Sequence, residues 1–241
     1  MAQGQGATSR STTDPTGLTV VVDFDSAIAE RNVAETLLTT FSGDRWWSID
    51  EELERGTITS FEAVNAFFDL IAAVPEHELR AAARQVEQSE HARVAVDRLV
   101  AGGASVVVVS DSFGFYVREA LEGWPVTVET NDIDWASGSM VFPQRDRCCP
   151  CQSCGMCKQA PVKDAQRERH LTAVVSGSLN DRKAALLADE LFASGRLGAW
   201  CDEHGVRHHP FVALEAVADR LLAGRVASTG QSDRSQIHES V

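Results

Sequence analysis

Three short apolar runs punctuate the chain, and each opens into polar residues. Leu18-Thr19-Val20-Val21-Val22 leads to Asp23-Phe24-Asp25, and the run from Ala104 to Val109 leads to Ser110-Asp111-Ser112-Phe113. Val174-Val175 leads to Ser176-Gly177-Ser178. Val-rich runs of this length read as buried strands. Between the first and second runs the pattern turns helical, predicting helices over 32–40, 61–73, 76–86 and 89–101. Thr59 with Glu62 fits a capping box before the second of these. Pro75 suits a first helical position, and Gly102-Gly103 ends the fourth helix. Beyond Ser110 the pattern predicts helices over 113–121, 164–169, 180–192 and 211–222, with strands at 126–129 and 141–142. Strands alternating with helices imply an α/β fold with a doubly wound parallel sheet.

Asp23 and Asp25 stand where the first strand opens into a loop. In open α/β sheets ligands bind beyond the carboxyl ends of the strands. Two acids there can divide labour, one attacking phosphorus and the other moving the proton. The same Asp can equally serve as a helix cap or turn residue.

Four stretches stand in a telling order: VVDFDSAIAERNV, VVVVSDSFGFYV, CQSCGMCK and SGSLNDRKAALLADELFA. Together they resemble the haloacid dehalogenase (HAD) superfamily of phosphohydrolases, from about Leu18 to Leu222. The likeness is greatest to the branch of phosphoserine phosphatase, phosphoethanolamine/phosphocholine phosphatase and the methionine-salvage phosphatase. The resemblance implies a HAD-like doubly wound parallel sheet with a small helical cap inserted after the first strand. The core would comprise 18–30 and 85–225, the cap 31–84, with flexible tails at 1–17 and 226–241.

The resemblance also implies a metal-dependent phosphatase that hydrolyses a small phosphorylated metabolite through an aspartyl-phosphate. Asp23 would be the nucleophile and Asp25 the general acid/base. Ser110 would donate to the phosphoryl oxygens, with Asp111 beside it, and Lys158 would offset the added charge. Mg²⁺ would be held by Asp23, the backbone carbonyl of Asp25, and Asp181. Glu30 and Arg31 would read the leaving group. Each residue has a plainer role: Ser110 as a helix cap, Lys158 as a solvated charge, Asp181 as a first-turn acid. The sequence also departs from the family pattern. Ser26-Ala27 replaces Gly-Thr, Ser112 replaces Gly, and Gly177 stands where an acid is commonly a direct metal ligand. These changes keep open a non-catalytic HAD-fold binding or regulatory protein, and a phosphotransferase.

The 241 residues are 44% hydrophobic, enough for one α/β domain with a modest second unit. A net charge of −13 argues against nucleic acid or an anionic membrane as partner. It also repels phosphate, so binding would need local positive groups or a metal. No run is long and apolar enough to span a bilayer, and no signal-peptide core is evident, so the expected location is cytoplasmic. Cys148, Cys151, Cys154 and Cys157 are regularly spaced just before Lys158. They could bind structural Zn²⁺, remain reduced thiols that order the lysine, or form a redox pair. Trp46-Trp47 would line a substrate pocket or pack the cap.

Overall fold

The structure is a computed structural model and describes residues 15–145, 147 and 153–224. Strand β1 (Gly17–Asp23) is followed by a short helix α1 (Phe24–Ala27). Helices α2 (Val33–Ser42), α3 (Trp47–Arg55), α4 (Ser60–Ile71), α5 (Glu76–Ala83) and α6 (Glu90–Ala101) come next, all before β2 (Ala104–Phe113). Then come α7 (Gly114–Ala120), β3 (Thr127–Asp134), β4 (Ser139–Val141), α8 (Gln159–Arg167) and β5 (His170–Ser176). The order closes with α9 (Arg182–Ala185), β6 (Glu190–Ala193), α10 (Gly195–His204), β7 (His209–Pro210) and α11 (214–224).

Among the described residues the strands form one sheet, in the order β4-β3-β2-β1-β5-β6-β7. Every pairing is parallel except that of β4 with β3. Valine runs suit this sheet because both its faces are covered. Val20 and Val22 pack into one core with Phe24, Leu99 and Val108. Val21 points the other way, into a second core with Val109, Val162 and Val174. From β1 the chain winds outward through β2 and β3, then resumes on the other side with β5, β6 and β7. The carboxyl end of β1 is therefore the switch point, where the two connections diverge and leave a crevice.

Helices α2 to α5 form an insertion between β1 and β2. Thr59 and Glu62 close the expected capping box on α4, and Asn32 caps α2 through its side chain. Phe68 of α4 meets Phe113 at 6.3 Å between ring centroids, joining the insertion to the sheet core. Chain entry and exit lie side by side: Glu30 N–H donates to Glu87 O at 3.0 Å, and Ser89 N–H to Ile28 O at 2.9 Å.

The expected helix over 180–192 is not one element. A 3₁₀ turn (Leu179–Asp181) and the four-residue α9 are followed by strand β6. Leu191 and Phe192 lie opposite Val174 and Val175 of β5, so sheet pairing overrides the helix propensity of this Ala- and Leu-rich stretch. Helix α8 begins at Gln159, earlier than its charge pattern suggested. Helix α3 was not expected from the sequence, and it buries no residue. Among the described residues no helix is long and apolar enough to cross a membrane.

Candidate active site

The β1 strand ends at Asp23, which caps α1 from an extended backbone conformation. Its carboxylate is held at both oxygens. Oδ2 accepts from Ser26 N at 3.1 Å and Ser26 Oγ at 2.6 Å. Oδ1 accepts from Lys158 Nζ at 2.8 Å. The plainer cap role and the chemical role thus coexist in one side chain.

Lys158 precedes α8 and is buried. Its ammonium lies 2.6 Å from Asp181 Oδ1 and 3.2 Å from Asp111 Oδ1, in addition to Asp23. Burial alone would favour the neutral amine. The carboxylates of Asp111, Asp181 and Asp23 outweigh it and hold Lys158 well above the ordinary lysine range. Burial pushes the Asp181 carboxyl up to about 7 against the pull of Lys158, with Asp23 and Asp111 adding to the push. Lys158 shifts upward because its ammonium faces three carboxylates, whereas Asp181 shifts upward chiefly through its burial.

Asp25 Oδ1 accepts from Val33 N at 3.0 Å, while Oδ2 accepts from Tyr116 OH at 2.9 Å and Ser110 Oγ at 3.3 Å. One face of Asp25 stays open to the adjoining cavity, yet dense protein surrounds the rest. Burial, then the nearby Asp23 charge, pushes its carboxyl up to about 7, while the Val33 and Tyr116 bonds oppose the shift. Burial keeps the Tyr116 phenol well above its usual range, so it remains a donor.

Strand β2 slips register between Ser110 and Phe113. Asp111 lies within this irregular stretch, and its carboxylate is 3.2 Å from Lys158. Asn131 Nδ2 donates to the Asp111 carbonyl at 2.8 Å and Asn180 Nδ2 to its carboxylate at 3.1 Å. The structure thus gathers Asp23, Asp25, Ser110, Asp111, Lys158 and Asp181 at the carboxyl ends of β1, β2 and β5. Sequence reasoning did not single out Tyr116, Asn131 or Asn180. Tyr116 sits in an apolar helix where nothing distinguishes it from a core residue.

A cavity of about 450 Å³ opens above this cluster. Asp23, Asp25 and Asp111 form its floor, and the helical insertion supplies Leu38, Trp46, Val64 and Phe67. Trp46 lines the cavity while stacking on Trp47 at 4.2 Å, so it also packs the insertion. Arg196 on the rim pairs with Asp50 at 3.6 Å and with Glu54. Glu30 and Arg31 are exposed and are not among the residues lining the cavity.

Among the described residues no three His, Cys, Asp or Glu side chains form a ready metal cage. Lys158 stands between Asp23, Asp111 and Asp181. The donor set still suits a hard cation, because three carboxylates exceed the charge of one ammonium. For zinc the described residues offer no site: Cys154 and Cys157 are described, whereas Cys148 and Cys151 lie outside them.

The site thus sits on a mostly parallel sheet wound both ways from β1, with an Asp-x-Asp turn at its switch point and a lysine on the first acid. No family model matches the chain. It is 24% identical over 197 residues to a protein of Exiguobacterium sp. named 2-hydroxy-3-keto-5-methylthiopentenyl-1-phosphate phosphatase, covering 80% of this chain and 91% of that one. A protein of the same name from Geobacillus kaustophilus is 26% identical over 213 residues, covering 85% and 95%. The fold matches a crystal structure of phosphoserine phosphatase from T. onnurineus with a TM-score of 0.65 at 17% identity, over 88% of this chain and 98% of that one. The chain is thus similar in sequence to phosphatases of this name and in fold to phosphoserine phosphatase.

Proposed function

We propose that this phosphatase is metal-dependent and hydrolyses a small phosphorylated metabolite through an aspartyl-phosphate on Asp23. The observation that carries the reading is the buried Asp23 carboxylate. It is oriented at both oxygens and placed beside an Asp25 whose carboxyl is pushed up to about 7. A group with that affinity for protons can give one and take it back near neutral pH.

In the first step an Asp23 oxygen bonds to phosphorus as the bond from phosphorus to the leaving oxygen breaks. Asp25 gives its proton to that oxygen, and the alcohol departs. Asp25, now a carboxylate, takes a proton from water as the water oxygen attacks phosphorus. The bond from Asp23 to phosphorus breaks, inorganic phosphate leaves, and both aspartates regain their starting states. Lys158 stays charged throughout and offsets charge gathering on the phosphoryl oxygens. Tyr116, Ser110 and the Val33 N–H fix the direction of the Asp25 carboxyl. Asp23, Asp181 and the Asp25 carbonyl would hold Mg²⁺, which when bound supplies positive charge to a pocket otherwise too acidic for a phosphate.

We read the insertion at 31–84 as a cap that selects the leaving group. Its cavity face is largely apolar, and the rim cation Arg196 is already engaged by Asp50 and Glu54. An uncharged, partly apolar arm suits such a wall, as in the methylthiopentenyl phosphate named for the relatives. A carboxylate-bearing arm would meet Asp50 and Glu35.

The test is phosphate release from a panel of phosphomonoesters with uncharged, cationic and carboxylate arms, with and without Mg²⁺. Mg²⁺-dependent release, greatest for uncharged arms and lost in Asp23→Asn, is the expected result. Binding without release from any ester would overturn the reading in favour of a binding protein, the alternative that Gly177 favours. Release only with an added acceptor alcohol would make it a phosphotransferase.

A further inference from the structure

We infer that Ser26 is a positioning residue for Asp23, and that Ser26 and Gly177 act as one coupled pair. This rests on the reading of Asp23 as nucleophile. Gly177 N–H donates to Ser26 Oγ at 2.8 Å. With that lone pair occupied from β5's end, the hydroxyl proton is committed to Asp23 Oδ2, 2.6 Å away. The Ser26 backbone N–H reaches the same oxygen at 3.1 Å. Lys158 fixes the other oxygen from the opposite side. The plane of the carboxylate is therefore set from two elements, the strand β5 through Ser26 and the start of α8 through Lys158.

The space beside Gly177 shows why the pair belongs together. A Cβ built on Gly177 would lie 3.1 Å from Ser26 Cβ and 3.1 Å from Ser194 Oγ. The backbone there is not left-handed, so the glycine is needed for room rather than for its conformational freedom. A side chain at 177 and the Ser26 hydroxymethyl compete for one volume. The chain has filled it from position 26 with an uncharged donor that turns toward Asp23.

The experiment is a double-mutant cycle read in kcat, KM and melting temperature. Ser26→Ala removes only the hydroxyl oxygen. It should lower kcat about tenfold, as expected for losing a hydrogen bond to a charged group, with KM changed less than about twofold. A merely structural role would lower the melting temperature and leave kcat of the folded enzyme intact. Gly177→Ala should also lower kcat about tenfold, because its Cβ displaces Ser26 by a few tenths of an ångström. In a background of Ser26→Gly with Ser194→Ala the same Gly177→Ala change should have no further effect, because both crowding neighbours are gone. Unchanged kcat in Ser26→Ala, or multiplicative effects in the cycle, would overturn the inference. Retained activity in Asp23→Asn would instead sink the underlying assignment of the nucleophile.

Discussion

Replacing Lys158 with methionine keeps a stem of similar length and removes the ammonium. In the folded protein that ammonium lies 2.6, 2.8 and 3.2 Å from carboxylate oxygens of Asp181, Asp23 and Asp111. Its side chain is 5% exposed, so solvent screens these contacts little. Breaking a buried ion pair by removing one partner costs about 3–5 kcal/mol, because the other charge stays buried without compensation. For a chain of this size each kcal/mol moves the melting temperature by about 2–4 °C. Lys158→Met should therefore melt about 6–20 °C below the native chain when no divalent cation is present. Urea unfolding should show a lower midpoint with an unchanged slope, the mark of lost stability rather than altered compactness. Added Mg²⁺ should recover part of the loss, because a cation can replace the missing positive charge among the three acids. Equal stability of variant and native chain in metal-free buffer would refute the reasoning, showing that the acids do not need the ammonium.

Asp23→Asn should fold normally yet lose at least about a thousandfold in phosphate release, since an amide cannot attack phosphorus; near-native turnover would remove Asp23 from its role. Tyr116→Phe deletes the closest donor to Asp25 and should lower kcat about tenfold with the fold retained, measured by steady-state kinetics. Gly177→Asp alone should bind Mg²⁺ no tighter than the native chain, because Ser26 and Ser194 crowd the site; combined with Ser26→Gly and Ser194→Ala it should bind tighter by calorimetry. Thr59→Ala breaks the capping box of α4 and should cost about 0.5–2 kcal/mol in thermal unfolding.

Residues with a local cause were legible in the sequence. The valine runs of β1 and β2 announce strands because a sheet covered on both faces needs apolar side chains in both directions. Thr59 and Glu62 announce a helix start because the bonds they make span only three residues. Strand β6 was hidden, since Glu190 to Ala193 becomes a strand only through its pairing with β5. The site divides in the same way. Asp23, Asp25, Ser110 and Lys158 could be named from motif order. The bond from Tyr116 to Asp25 spans 91 residues, and the one from Gly177 to Ser26 spans 151. Such contacts exist only after the sheet has formed. Likewise Ser26 and Gly177 read along the chain as two separate departures from the pattern it resembles, whereas in space they are adjacent.

The neck of the helical insertion has a bearing on how this scaffold can be altered. Residues 29 and 88 bridge one another, so the chain leaves the sheet and returns to it at nearly one point. A segment with adjoining ends can be exchanged without stretching the strands that carry Asp23 and Ser110, provided its replacement covers the core that Phe68 shares with Phe113. On the proposed reading, the pocket wall that would meet the leaving group and the floor that would meet the phosphoryl group are thereby separable in inheritance. Selectivity would then drift, or be grafted, through residues 30–87 while Asp23 and Asp25 keep their places.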